Sequence, residues 1–139
     1  MAYNIEPKHD PSKEDIAVLM DGLHQEAFKA KGLKPSESFA FFVRDENNKI
    51  VAGVSGVSDF GCQHIDLLWV VPDLRGQGWG TKLMKLSEDF GRERKCSFAT
   101  VNTMDWEALP FYQKLGFSVE FMRDGYDKGS KFYFLRKSL

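Results

Sequence analysis

What this chain has little of narrows its reading first. Two cysteines, Cys62 and Cys96, are too few for a disulfide framework, and no cluster of cysteine and histidine suggests zinc. Basic residues do not outnumber acidic ones, 19 Lys and Arg against 20 Asp and Glu, so the strong positive excess of a duplex-binding protein is missing. No apolar run is long enough to span a bilayer, and the first twenty residues are polar and proline-punctuated, without the apolar stretch of a secretory leader. Internal repeats and low-complexity tracts are absent as well. The expectation is a cytoplasmic protein, a single domain over residues 1–139, that holds no metal and binds neither nucleic acid nor membrane. With 42% hydrophobic residues it has the material for a sizeable core.

The organising stretch runs from His64 to Gly91. Ile65, Leu67, Leu68, Trp69, Val70 and Val71 form an apolar run of strand length, closed by Pro72, which cannot donate to a ladder. Trp79, Leu83, Leu86 and Phe90 then recur at helical spacing, predicting an amphipathic helix that begins at Gln77 or Gly78. Between them, Arg75-Gly76-Gln77-Gly78-Trp79-Gly80 places three glycines where a helix starts, leaving unpaired N–H groups open to a ligand. Those donors, aided by the helix dipole, suit a phosphate or pyrophosphate. A dinucleotide fingerprint would need a third glycine where Thr81 stands, and Gly80-Thr81-Lys82 has the wrong order for a Walker loop.

Around this centre the chain reads as alternating elements. Tyr3-Asn4-Ile5 could form an edge strand, and Ser12 opens a helix as N-cap with Asp15 at the reciprocal position. Ile16, Leu19, Met20, Leu23 and Ala27 make that helix's buried stripe, and Gly32 ends it. Phe39 to Arg44 and Lys49 to Val57 flank the turn residues Asp45-Glu46-Asn47-Asn48 as a hairpin, with Gly53 and Gly56 marking a bulge or a close backbone approach. After the glycine-rich loop and its helix, Ser97 to Asn102 returns parallel to the central strand. Asp105 to Leu115 is a short helix, and two strands around Phe117 to Phe121 and Lys131 to Arg136 finish the chain.

The run from Leu68 through Gly80 resembles the acetyl-CoA motif of the GNAT superfamily of N-acetyltransferases, (Gln/Arg)-x-x-Gly-x-(Gly/Ala), whose fixed positions Arg75, Gly78 and Gly80 fill. Phe111-Tyr112-Gln113-Lys114-Leu115-Gly116-Phe117 resembles the family's Tyr-x-x-x-Gly-Phe signature, and the pair is far more specific than either alone. The resemblance implies an α+β fold: a mostly antiparallel sheet of six or seven strands, a central parallel pair splayed around the cofactor, and about four helices. It implies acetyl-CoA as acetyl donor, with Leu68, Trp69 and Val70 contributing main-chain contacts and Arg75, Gly76, Gln77, Gly78, Trp79, Gly80 and Thr81 forming the pyrophosphate loop. It also implies Tyr112 as the acid that protonates the departing thiolate, although a tyrosine sharing a helical face with Ala108, Phe111 and Leu115 also reads as a core residue.

Acetyl transfer to an amine passes through a tetrahedral oxyanion and needs a proton acceptor, because an amine of reference pKa about 10.4 is mostly protonated at neutral pH. Asp66 is the candidate base, with His64 alternating onto the same face as a relay, against the plainer reading of both as strand-surface residues. Nothing local marks Cys62 as an activated nucleophile. Where the family commonly has an asparagine seven residues before the tyrosine this chain has Asp105, which then serves as a helix N-cap, with Asn102 earlier. The sequence-level function is N-acetylation of a primary amine by direct attack in a ternary complex, with a silent acyl-CoA-binding sensor as the alternative. The acceptor is left open between a small molecule, a peptide and a protein lysine, and a homodimer is compatible with the sequence.

Overall fold

The computed structural model describes residues 2–139 and divides into two compact units, one up to Pro35 and the other Ser36–Leu139. The first holds one helix, α1 (Lys13–Lys31). Ser12 Oγ accepts the Asp15 amide at 3.1 Å, and Gly32 closes the helix at φ 67°, its N–H donating to Phe28 O. The stripe of Ile16, Leu19, Met20 and Leu23, expected to be buried, is exposed, because this unit contains no second helix or strand to pack against it. Residues 3–5 form no strand, so the sheet has six strands rather than seven.

The second unit carries that sheet: β1 (Glu37–Arg44), β2 (Ile50–Asp59), β3 (Cys62–Val70), β4 (Phe98–Met104), β5 (Ser118–Tyr126) and β6 (Ser130–Ser138), in the order β1-β2-β3-β4-β6-β5. Only β3 and β4 run parallel, joined by α2 (Trp79–Glu93). With α3 (Leu109–Lys114) the described residues hold three α-helices, plus single 3-10 turns at Pro72–Leu74 and Asp127–Gly129, against about four helices expected. α1 ends at Lys31 and β1 begins at Glu37, with no helix in the residues between. Among the described residues no helix is long and apolar enough to cross a membrane.

The core lies on one face of the sheet, where Phe39, Val54, Ile65, Val101 and Leu135 meet Leu83 and Met84 of α2 and Tyr112 of α3. Phe90 of α2 packs at a tilt of 54° on Phe39 and edges onto Phe41. Polar clamps fix the helix on the strands. Buried Gln63 of β3 donates to Ser87 O at 2.7 Å and accepts from Ser58 Oγ, and buried Glu88 pairs with Lys137 Nζ of β6 at 2.7 Å. Gly91 permits the approach, since a Cβ there would stand 2.8 Å from Gln63 Cβ.

One irregularity sets up the site. Leu67 pairs with Ser55 and Ile65 with Gly56, so Asp66 has no partner on β2 and forms a bulge. Gly56 is required opposite it, because a Cβ would fall 2.0 Å from His64 O. Gly56→Ala should therefore lower the unfolding free energy by about 2 kcal/mol. Gly22→Ala, in α1 with nothing nearby, should instead raise it by about 0.5–1 kcal/mol. Urea unfolding followed by circular dichroism separates the two outcomes.

Candidate active site

β3 and β4 share a register only from Cys62↔Phe98 to Ile65↔Val101. Beyond that β4 stays paired with β6 as far as Met104, and β3 stays paired with β2 as far as Val70, so the two parallel strands part. The gap opens into a cleft of about 910 Å³ lined by Asp66, Leu68, Trp69, Val70, Asn102 and Thr103 from the strands, with the loop and first turn of α2 on one side and the β4–α3 turn on the other.

The start of α2 has the geometry expected of an anion site. Gly76 and Gly78 adopt φ 76° and 89°, which only glycine takes without strain, and nothing lies within 4 Å of where their Cβ atoms would stand. Gly78 is the N-cap residue, no side chain caps the helix, and no acidic residue sits in its first turn. The amides of Trp79, Gly80 and Thr81 are therefore without intrahelical acceptors at the positive end of the helix dipole. Gly80 serves packing instead: a Cβ would meet the Phe111 ring at 3.1 Å. Arg75 Nε donates to Val70 O at 2.8 Å, tying the loop to the end of β3. Gln77, alone among the expected loop residues, does not line the cleft; its amide donates to Asp73 O at 3.3 Å.

On the opposite bank, α3 begins at Leu109 rather than near Asp105, so Pro110 falls in the first turn, where its missing N–H loses no bond. Asp105 is not the cap: its amide donates to Lys131 O and its side chain does not line the cleft, whereas Asn102 does. Thr103 Oγ accepts from Ala108 N at 3.2 Å, and Glu107 Oε1 accepts from Met104 N at 2.8 Å. Thr103 and Glu107 escaped the sequence reading, although the pair resembles a capping box stretched by one residue.

Tyr112 lines the cleft and is 6% exposed, with its ring edge-on to Phe111 and Phe117. Burial pushes its phenol up to about 12, and the Glu107 charge adds to the shift, so it holds its proton throughout the physiological range. Tyr112 thus belongs to the core and also lines the cleft. Asp66 lines the cleft and is exposed at the bulge. His64 does not share its position: the bulge breaks the alternation, and His64 Nδ1 lies 2.7 Å from Thr100 Oγ instead. Burial pushes the Cys62 thiol up, away from the thiolate form.

An α+β sheet with a parted parallel pair and an uncapped helix N-terminus beside it defines the scaffold; comparison with known proteins gives its family. A family model described as an acetyltransferase (GNAT) domain matches residues 7–139. A blasticidin-S acetyltransferase of Streptomyces morookaense is 32% identical over 107 residues, covering 76% of this chain and 79% of that protein. The crystal structure of an Agrobacterium tumefaciens protein assigned as an acetyltransferase superposes with TM-score 0.86 at 25% identity, covering 99% of this chain and all of that one. A Bacillus anthracis protein assigned as a streptothricin acetyltransferase, crystallised with acetyl coenzyme A, is 14% identical with TM-score 0.64 over 73% of this chain and 62% of that one. This chain belongs to the GNAT superfamily and is an acyltransferase.

The raised phenol gives a direct test. An unfolded tyrosine ionises near 10, so between about 10 and 12 the folded protein keeps a proton that the unfolded chain releases, and stability should fall as pH rises through that window. In an ultraviolet titration a tyrosine step should appear at about pH 12, and Tyr112→Phe should remove that late step. Loss of an early step instead would refute the assignment.

Proposed function

We propose that this acyltransferase moves an acetyl group from acetyl-CoA to the primary amine of a small molecule by direct attack in a ternary complex. The observation that carries the proposal is the conjunction of the strand gap with the uncapped start of α2 in one cleft. The open loop fits a diphosphate by its donor chemistry and by the space above Gly76 and Gly78. In this reading the amides from Gly76 to Thr81 hold the diphosphate and the freed main chain of Leu68, Trp69 and Val70 holds the arm and polarises the acetyl carbonyl. The Bacillus anthracis protein crystallised with acetyl coenzyme A supports the donor, and the Streptomyces relative named for blasticidin S supports a small-molecule acceptor. The family match runs across both compact units, which supports treating the chain as one acetyltransferase domain.

The chain's own residues then divide the proton work. Asp66, exposed at the bulge, takes a proton from the acceptor ammonium directly or through water, freeing the nitrogen lone pair. As the N–C bond forms and the C–S bond breaks, the nitrogen sheds its second proton to water, and Tyr112 donates to the departing sulfur and regains a proton from water.

A panel of amines with detection of free CoA tests the proposal, and thiol release with at least one amine is the expected result. Acetyl-CoA binding without release by any amine would mark a binding domain instead. Gly78→Val, which forces a branched side chain to φ 89°, should abolish the thermal shift given by acetyl-CoA. Tyr112→Phe should lower kcat about 10- to 100-fold while leaving the acetyl-CoA KM within twofold. Asp66→Asn should flatten the pH dependence of kcat/KM.

A further inference from the structure

The strand that offers its main chain to the cleft also sorts its side chains between two faces. Leu68 and Val70 pair with Val54 and Ala52 and pack towards the core. Leu67 and Trp69 pair with Ser55 and Gly53 and so point to the other face, where they are 66% and 50% exposed while still lining the cleft. Gly53 also pairs with Phe42 of β1, itself 54% exposed, so Phe42, Gly53 and Trp69 form one cross-strand row. The Phe42 ring leans over the glycine: a Cβ at Gly53 would lie 2.9 Å from Phe42 Cδ1. The result is an aromatic floor, free of branched side chains in its middle, that runs up to the strand gap.

Charge is divided along the same cleft. Arg75 and the amides of α2 stand at one end, whereas Asp66 at the bulge and Glu107 on the opposite bank supply carboxylates. Four residues of strand separate Asp66 from Val70, whose carbonyl Arg75 grips, so the acidic and basic parts lie about 13 Å apart along β3. An acceptor with an acidic group would meet Asp66 and Glu107 as like charges. A purely aliphatic diamine would satisfy the carboxylates and leave the floor bare.

We propose that the acceptor is a ring-bearing cation, a primary ammonium on a flat body that lies on the Trp69 and Phe42 floor with its charge drawn to Asp66 and Glu107. Aromatic faces attract cations and stack on planar groups, which gives this floor a selectivity that an aliphatic one would lack. Trp69 therefore acts twice, its main chain towards the acetyl donor and its side chain towards the acceptor. This inference rests on the cleft being an acetyl-transfer site.

Calorimetric binding to the full chain in the presence of CoA, compared between tryptamine and butylamine, tests it independently of turnover. The wild type should bind tryptamine at least tenfold more tightly than butylamine. Trp69→Ala should raise the tryptamine Kd about tenfold and leave the butylamine Kd within twofold, with an unchanged far-ultraviolet circular dichroism spectrum as proof of folding. Phe42→Ala, outside the cleft, should narrow the preference several-fold and serves as the second variant should Trp69→Ala not fold. Equal affinities in the wild type, undetectable binding of both amines with CoA bound, or a preference untouched by the floor variants would each overturn the inference. Absence of a CoA thermal shift in the wild type would overturn the acetyl-transfer reading itself, a separate result.

Discussion

The hydrogen bonds that β3 and β4 do not make are the constraint on which the site depends. Parallel neighbours normally continue their ladder, because an unpaired backbone amide or carbonyl away from water costs about as much as a lost hydrogen bond. Here the ladder stops after Ile65 and Val101 although both strands continue. Each is held on its far side, β3 by β2 and β4 by β6, so the divergence unfolds neither. The bulge at Asp66 supplies the local bend, and Gly56 makes the bulge sterically feasible. Arg75 takes one carbonyl, that of Val70, and the remaining edges face a cleft open to polar ligands.

The parted strands would have little use without a fixed helix beside them. α2 is held at mid-length by the Gln63–Ser87 bond and the Glu88–Lys137 pair, and near its C-terminal end by the Gly91 contact. Glu88 is buried, so its carboxylate depends on that partner: removal of Lys137 would leave a charge in the interior with only the more distant Arg92, at 3.8 Å, to offset it. These attachments all lie away from the helix N-terminus. The first turn itself has no side-chain cap and no carboxylate.

Much of this was legible in the sequence, for a reason that also explains what was not. Glycines at 76 and 78 report backbone conformation directly, since positive φ excludes most side chains, so the loop is readable from residue identity alone. The hairpin and the Ser12 cap were legible because turn and cap chemistry is local. The bulge at Asp66 was not, because a strand with one extra residue has the same composition as one without; only Gly56 across the ladder hinted at it. That slip explains why His64 and Asp66, two apart, do not work as neighbours. Asp105 looked like a cap from its position alone, whereas Thr103 and Glu107 took the amides of Ala108 and Met104. The apolar stripe of α1 was legible as a pattern, but a pattern does not specify which surface covers it.

The environment of Tyr112 limits what that residue can do in the proposed reaction. A phenol at about 12 facing a thiolate whose acid has a reference pKa of about 8.5 would lose its proton uphill, across a gap of roughly 3.5 pH units or about 5 kcal/mol. Complete transfer ahead of bond cleavage is therefore disfavoured, and donation of a hydrogen bond that strengthens as charge grows on sulfur is the role this pocket favours. The same desolvation that makes the phenol a weak acid makes such a bond stronger, because the surrounding dielectric is low. The positions of Phe111, Phe117 and Glu107 around the ring thus bear on the chemistry as well as on packing. A site of this kind stabilises the leaving group by a fixed dipole, and its acceleration is correspondingly smaller than that of a matched general acid.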